Sequence, residues 1–181
     1  MPRRAHGLAV LLLLVAAVAA GCGSDADSPT QTSANTPEVR GKSYANTVCF
    51  IAVSWQTASG KIDDYGANTA SSQDVVDAVS QAQAPTSDFV RNIRGLQEPD
   101  NSTGKEAYDS LQKTADQIAQ LSSGIQASTD SLDTGAKKAQ TQIESLYGAL
   151  RTSVSQLDSL YPQSGVSDAV AAQPNCAPLQ S

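Results

Sequence analysis

Apolar residues recur at intervals of three and four from Arg40 to Tyr161 in this 181-residue chain. Residues with that spacing lie on one face of an α-helix, whereas a half-buried strand repeats at every second residue. The pattern therefore predicts helices that each have one apolar stripe to bury. The stripe of the third predicted helix consists of Ala107, Leu111, Ala115, Ile118, Leu121, Ile125 and Leu132.

Four long helices are predicted, and their limits follow from the stripes and from turn-forming residues. They cover residues 40–66, 71–96, 105–132 and 136–161, and a short helical piece covers 166–172. Ser71 and Ser72 are good N-cap residues for the second helix, whose apolar stripe runs through Val76, Val79, Phe89, Ile93 and Leu96. Gly60 is a candidate interruption of the first helix, and Pro85 predicts a kink or a break in the second. Turns are expected at 98–104 and at 133–135.

Long helices joined by short breaks pack antiparallel to their chain neighbours. The expected fold is therefore all-α: an antiparallel up-and-down bundle of about four helices, with left-handed packing. Two alternatives stay open. One is a longer helical hairpin that pairs with a second chain, and the other is a local buried strand from Val48 to Trp55, where Val and Ile are frequent.

The first 21 residues have the pattern of an export signal. Arg3 and Arg4 precede an unbroken apolar run of 13 residues, Leu8 to Ala20. As a helix, such a run covers roughly 20 Å, which is too short for a hydrocarbon core about 30 Å thick. Residues 1–21 are therefore interpreted as a removable signal peptide.

The signal ends in Ala19-Ala20-Gly21-Cys22, which resembles the lipobox of bacterial lipoproteins, with Ala19 where that family most often has Leu. The composition also resembles small lipoproteins of high-GC Gram-positive bacteria. The resemblance implies cleavage before Cys22, a diacylglyceryl group on its thiol and a fatty acyl chain such as palmitate on the new amino terminus. The protein would then be a lipid-anchored lipoprotein on the extracytoplasmic face of the cell membrane. An ordinary secretory signal with an Ala-x-Ala site is the alternative.

After Cys22 the sequence is rich in Ser, Thr, Asp and Pro as far as Val39. Such a composition cannot bury enough apolar surface to order itself, so residues 22–39 are predicted to be a disordered tether. Its 17 residues after the cysteine would reach roughly 20–25 Å as a flexible coil. Residues 40–181 are predicted to form a single domain.

Cys49 and Cys176 are the cysteines beyond the anchor. In an exported protein two such thiols favour one intramolecular disulfide, here closing a loop of 127 residues. The chain-entropy model gives on the order of 4–5 kcal/mol for a loop of this size. A reactive thiol is the alternative, although redox cysteines are usually close in sequence, as in Cys-x-x-Cys.

Composition limits the possible chemistry. The one histidine, His6, lies in the signal peptide, so an imidazole-dependent nucleophile and a His-ligated zinc site are excluded from the mature chain. Removal of Arg3 and Arg4 leaves 10 basic against 18 acidic side chains, a net charge of −8 that would repel nucleic acid. We therefore expect a protein that is not an enzyme, with no catalytic residue, cofactor or metal.

Two clusters are candidates for binding. Tyr44, Trp55 and Tyr65, together with Phe50 and Tyr147, could line a pocket between helices, but core packing is the favoured interpretation, since Trp55 and Tyr44 lie in phase with the apolar stripe. The carboxylates of Asp63, Asp64, Asp74 and Asp77 could bind calcium or act as an acid/base pair, and a solvated acidic surface is the alternative.

Two functions fit this sequence. The first is a non-catalytic interaction or scaffold module at the cell envelope, whose partner is another envelope protein or a cell-wall component. The second is a carrier or sensor of a small apolar or glycan ligand held near Trp55. A carrier needs an internal cavity of roughly 300 Å³ or more, whereas a scaffold should be packed throughout and show its distinguishing feature on the surface.

Overall fold

The computed structural model describes residues 37–181. Four long helices are followed by a short helical tail: α1 (Pro37–Gly66), α2 (Ser72–Arg94), α3 (Ser102–Thr129), α4 (Leu132–Leu160), α5 (Val166–Ala171), a 3-10 turn (Pro174–Cys176) and α6 (Ala177–Gln180). The signal peptide, Cys22 and all but the last three residues of the predicted tether lie outside the described residues.

The four long helices form the expected all-α bundle. Each packs on its chain neighbour, and α1 also packs on α4, which closes the bundle. The tail elements lie against α1 and α4. Short connections make successive helices antiparallel, so the α1–α2 and α3–α4 turns meet at one end, where Tyr65 contacts Asp133.

Helix limits differ from the prediction in several places, among them the start of α3 at Ser102, inside the turn predicted at 98–104. Helix α1 begins three residues before Arg40, with Pro37 in its first turn, where a missing N–H is tolerated. The helix also continues through Gly60, because the cost of about 1 kcal/mol for one exposed glycine is small beside the burial of Ala58 and Ile62 around it.

The predicted break at Pro85 is wrong, since α2 is one helix from Ser72 to Arg94. Ala82, Thr86 and Phe89, on both sides of the proline, are buried, and this packing keeps the two halves of α2 in one helix. The turn predicted at 133–135 is also misplaced, because α3 ends at Thr129 and α4 already begins at Leu132.

Buried apolar side chains from all four helices form one core, whose largest members include Trp55, Phe89, Ile93, Leu111 and Leu146. The phase of α2 differs by one residue from the prediction at its start: Val75 is fully buried, and Val76 is only half-buried. Both positions are valines, so the sequence pattern could not distinguish them.

The beginnings of α2 and α3 are capped by side chains. Ser71 and Asp74 form a reciprocal capping box, in which the Asp74 N–H donates to Ser71 Oγ at 3.2 Å and the Ser71 N–H donates to Asp74 Oδ2 at 3.1 Å. Asn101 Oδ1 accepts the N–H of Gly104 at 2.7 Å at the start of α3. The predicted N-cap at Ser71 is confirmed.

A disulfide joins Cys49 of α1 to Cys176 in the tail, with the two Cα atoms 4.7 Å apart, as the sequence predicted. The tail is also held by burial of Val166 and Leu179 and by a hydrogen bond of 3.1 Å from Arg151 Nη1 to the carbonyl of Pro178. The C-terminal segment is therefore part of the packed domain.

Candidate interaction site

Trp55 belongs to the packed core between α1 and α2. Its side chain is fully buried, and its Nε1–H donates to Thr86 Oγ1 at 3.0 Å. The Thr86 hydroxyl, also buried, donates in turn to the carbonyl of Ala82 at 2.8 Å. The indole polar group is thus satisfied inside the protein, as a buried tryptophan requires.

Tyr44 and Tyr65 do not join Trp55 in one pocket. They are 21 positions apart on α1, which corresponds to about 30 Å along a helix. The Tyr44 hydroxyl donates to the carbonyl of Asn92 at 3.5 Å, near the start of α1. The Tyr65 hydroxyl donates to Asp133 Oδ1 at 2.5 Å, at the other end of the bundle. The three predicted pocket residues therefore occupy three separate environments.

The aromatic residues near the start of α1 have a structural role. The Arg40 guanidinium lies 5.4 Å from the ring centroid of Tyr161, within cation–π distance. Burial is the main cause that raises the pKa of the Tyr44 and Tyr161 hydroxyls, while Arg40 acts in the opposite direction. Both tyrosines are therefore neutral at physiological pH and serve to pack α1 against its neighbours.

Tyr147 occupies a further environment, beside the tail. Burial raises the pKa of its hydroxyl, and its oxygen is buried without a hydrogen-bond partner among the described residues. The side chain lines a surface cavity of about 440 Å³ with Gly60 and Asp63 of α1 and Pro178 of α6.

Phe50 is the large hydrophobic side chain that the described part of the chain exposes, at 61% of its full accessibility. It lies in a groove of about 560 Å³ between α1 and α2. The walls of this groove, which we name the Phe50 groove, are formed chiefly by Asn46, Thr47 and Phe50 of α1 and by Pro85, Asp88 and Asn92 of α2.

Helix geometry explains why Phe50 is outside while its neighbours are inside. Cys49 and Ile51 are buried on either side of it. Phe50 is five positions from Trp55, which rotates it by about 140° around the helix, away from the apolar stripe. A single exposed apolar side chain is ordinary on a protein surface, but Phe50 lies in a shallow, open groove whose lining combines apolar and hydrogen-bonding side chains, which makes it a candidate contact surface.

The lining of the Phe50 groove contains one negatively charged side chain, which is paired with an arginine outside the lining. Asp88 is its charged lining residue, and its Oδ1 accepts a hydrogen bond from Arg91 Nη2 at 2.7 Å. The side-chain amides of Asn46 and Asn92, on opposite walls, make no hydrogen bond within residues 37–181. Each amide therefore keeps two donors and one acceptor for a ligand.

A smaller groove of about 280 Å³ lies between α2 and α3. Its two arginines are engaged: Arg91 with Asp88, and Arg94 with Asp116 at 2.6 Å. Its floor includes Ser122, which exchanges two hydrogen bonds with Gln83. Because these side chains are paired with one another, fewer hydrogen-bonding groups are available to a ligand here than in the Phe50 groove.

The four aspartates singled out in the sequence are exposed near the α1–α2 turn. Asp74 belongs to the capping box, and hydrogen bonds from Ser71 lower the pKa of its carboxyl. Asp77 accepts a hydrogen bond of 2.7 Å from Gln73 Nε2. Over residues 37–181, no group of three or more His, Cys, Asp or Glu side chains is arranged to hold a metal ion.

Sequence reasoning placed Phe50 with the other aromatic residues and so missed the groove. The available signal was its phase, because Phe50 does not share the three-and-four spacing of Tyr44, Val48, Ile51 and Trp55. The α2 wall could not be assigned without the packing of α1 on α2.

None of the helices in the described part of the chain is both long enough and apolar enough to cross a membrane. No protein family, curated protein or solved structure compared with the chain matches it.

Proposed function

We propose that the protein is a non-catalytic interaction module of the cell envelope, anchored by lipid on Cys22, and that the Phe50 groove is its contact surface. The observation that carries the proposal is the contrast between a closed core around Trp55 and an aromatic ring exposed in a surface groove. The partner is an envelope protein or a cell-wall component.

The anchoring part of the proposal rests on the sequence. The basic start, the apolar run and the cysteine after Ala-Gly resemble a lipoprotein signal. The disulfide between Cys49 and Cys176 supports an oxidising, extracytoplasmic compartment, because cytosolic thiols are normally kept reduced. Two or three acyl chains would hold such a protein firmly on the membrane.

The groove offers groups that bind and orient a partner. Its ring can stack, and its amides and hydroxyls can donate and accept hydrogen bonds. Its one carboxylate, on Asp88, is held by Arg91. This chemistry supports recognition in preference to proton transfer or nucleophilic attack.

The hypothesis of a carrier or sensor that holds a small ligand near Trp55 has less support. A ligand held near Trp55 would need space beside the indole, but that side chain is fully buried and its N–H is bound to Thr86. The open space of 560 Å³ lies on the other side of α1, around Phe50. The ligand would therefore lie on the surface of the bundle and not inside it.

Burial of Phe50 alone provides little free energy for the association of two copies through this groove. Burial of one phenylalanine contributes about 1.5–3 kcal/mol, so two copies of Phe50 would contribute about 3–6 kcal/mol. The loss of translational and rotational freedom on association costs about 4–15 kcal/mol. We therefore expect a monomer that binds a different partner.

Anchoring is tested by metabolic labelling with an alkyne analogue of palmitate in the source organism or a related host. The wild-type protein should carry label and partition into detergent, and the Cys22→Ala variant should do neither. Labelling or detergent partition that survives this substitution would refute the lipid anchor.

The contact surface is tested by photocrosslinking in intact cells, with benzoylphenylalanine placed at position 50 or at the control position 120. Gln120 is exposed on α3, away from the Phe50 groove. Adducts are expected from position 50 and not from position 120. Equal adducts from both positions, or none from position 50, would contradict the proposed surface.

A further inference from the structure

The Phe50 groove has the chemistry of a carbohydrate-binding site. A sugar ring has an apolar C–H face, which packs on an aromatic ring, and a polar edge, which hydrogen-bonds to amides and hydroxyls. Phe50 supplies an exposed ring, and Asn46 and Asn92 supply amides that are unengaged within the described helices. We infer that the groove binds an uncharged glycan strand of the cell wall. This inference rests on the proposed extracytoplasmic function.

Charge supports an uncharged ligand. The one charged side chain of the groove, Asp88, is paired with Arg91 at 2.7 Å, and the mature chain predicted above would carry a net charge of −8. A polyanion would be repelled by the protein as a whole, and a polycation would find one carboxylate that is already engaged. A neutral polyol meets neither obstacle.

The size of the groove also suits this ligand. Its volume of about 560 Å³ falls within the range of small-molecule sites. It extends along α1 from Ser43 to Phe50, which is about 10 Å at the rise of a helix. A short segment of a glycan strand can therefore lie along the groove with one ring on Phe50.

The composition of the walls argues against a helical partner. A helix bound in a groove inserts several apolar anchors at positions i, i+3 or i+4, and i+7. Here Asn, Ser, Thr and Asp side chains surround one large apolar ring. A second copy of this chain is disfavoured by the energetic shortfall given above.

The test is titration of the purified, lipidated full-length protein in detergent with chitotetraose, an uncharged oligomer of N-acetylglucosamine, followed by calorimetry and saturation-transfer NMR. The Phe50→Ala variant should bind at least about tenfold more weakly than wild type, because the stacking platform is gone. Phe50→Trp should retain binding. Phe50→Leu should resemble Phe50→Ala, since leucine keeps apolar bulk but lacks a ring.

Asn46→Ala and Asn92→Ala should each weaken binding severalfold. Asn175→Ala is the matched control, because Asn175 is an exposed asparagine in the tail and does not line the groove. Its affinity should equal that of wild type. Thermal melting by circular dichroism shows whether each variant retains the fold.

Three results would overturn the inference: no binding at millimolar chitotetraose, equal binding by wild type and Phe50→Ala, or a wild-type dimer in sedimentation that Phe50→Ala abolishes. Photocrosslinking distinguishes this failure from that of the proposed function. Adducts from position 50 to a protein, without glycan binding, would leave the interaction module standing and refute the glycan. Absence of both would refute both.

Discussion

Two aromatic side chains five positions apart on α1 have opposite environments. Trp55 is fully buried with its N–H bonded to Thr86, whereas Phe50 is 61% exposed in the groove between α1 and α2. The same helix therefore supplies the core on one side and the proposed contact surface on the other. The comparison shows that the phase of an aromatic residue within a helix, more than its identity, separates a structural role from a functional one.

The largest difference between the two sides should appear in stability. Trp55→Ala should lower the free energy of unfolding by about 3–5 kcal/mol, because it leaves a cavity and removes the hydrogen bond that Thr86 Oγ1 accepts. Phe50→Ala should change it by less than about 0.5 kcal/mol. Guanidinium denaturation of both variants measures the contrast. Similar losses of unfolding free energy in the two variants would contradict the distinction between the Trp55 side and the Phe50 side of α1.

The second prediction concerns the contribution of the disulfide to stability. Replacement of both Cys49 and Cys176 by alanine should destabilise the protein by about 2–4 kcal/mol, since the closed loop no longer restricts the unfolded chain. Denaturation midpoints with and without dithiothreitol provide the check. The reductant should lower the midpoint of the wild type and leave that of the double variant unchanged; a wild-type midpoint indifferent to reductant would contradict the cross-link.

Loss of the hydrogen bond from Trp55 to Thr86 should have a smaller effect on stability. Thr86→Val keeps the shape of the side chain but leaves the Trp55 N–H unpaired in the core, at a cost of about 1–3 kcal/mol. The matched control is Thr57→Val, since Thr57 is exposed on α1 and bonds only to the carbonyl of Val53. Thermal melting should separate the two variants, and equal melting temperatures would show that the buried bond contributes nothing.

The smallest expected effect comes from the exposed capping box. Hydrogen bonds from Ser71 lower the folded-state pKa of Asp74 below its ordinary value of 3.8. A carboxyl with a depressed folded-state pKa stabilises the fold above its unfolded pKa, and the contribution is lost as the pH falls below about 4 through the folded pKa. Melting temperature against pH should therefore fall less steeply in this acidic range for Asp74→Asn than for wild type, and parallel curves would contradict the assignment.

Much of the fold could be predicted from the sequence because it depends on local pattern. Four stripes at helical spacing were enough to predict the bundle, and two cysteines after the pattern of an export signal were enough to predict the disulfide. Ser71 and Asp74 have the spacing of a capping box, so the start of α2 was also predictable.

Features that depend on packing between helices were not predictable. Pro85 lies in a sequence that permits either a break or a continuous helix, and the burial of Thr86 and Phe89 against neighbouring helices decides the outcome. The groove has the same origin, because Phe50 and Asn92 are 42 positions apart in the sequence and meet only when α2 packs on α1. Local pattern contains no information about such a meeting.

Hydroxyl-radical footprinting in intact cells and on the purified protein tests the central claim most directly. Phe50 should be oxidised in the purified protein and substantially protected in cells, where the partner covers it. Trp55 should stay unmodified in both samples, although tryptophan is the more reactive side chain. Equal oxidation of Phe50 in the two samples, or ready oxidation of Trp55 in the purified protein, would contradict the division of α1 into a sealed side and a binding side.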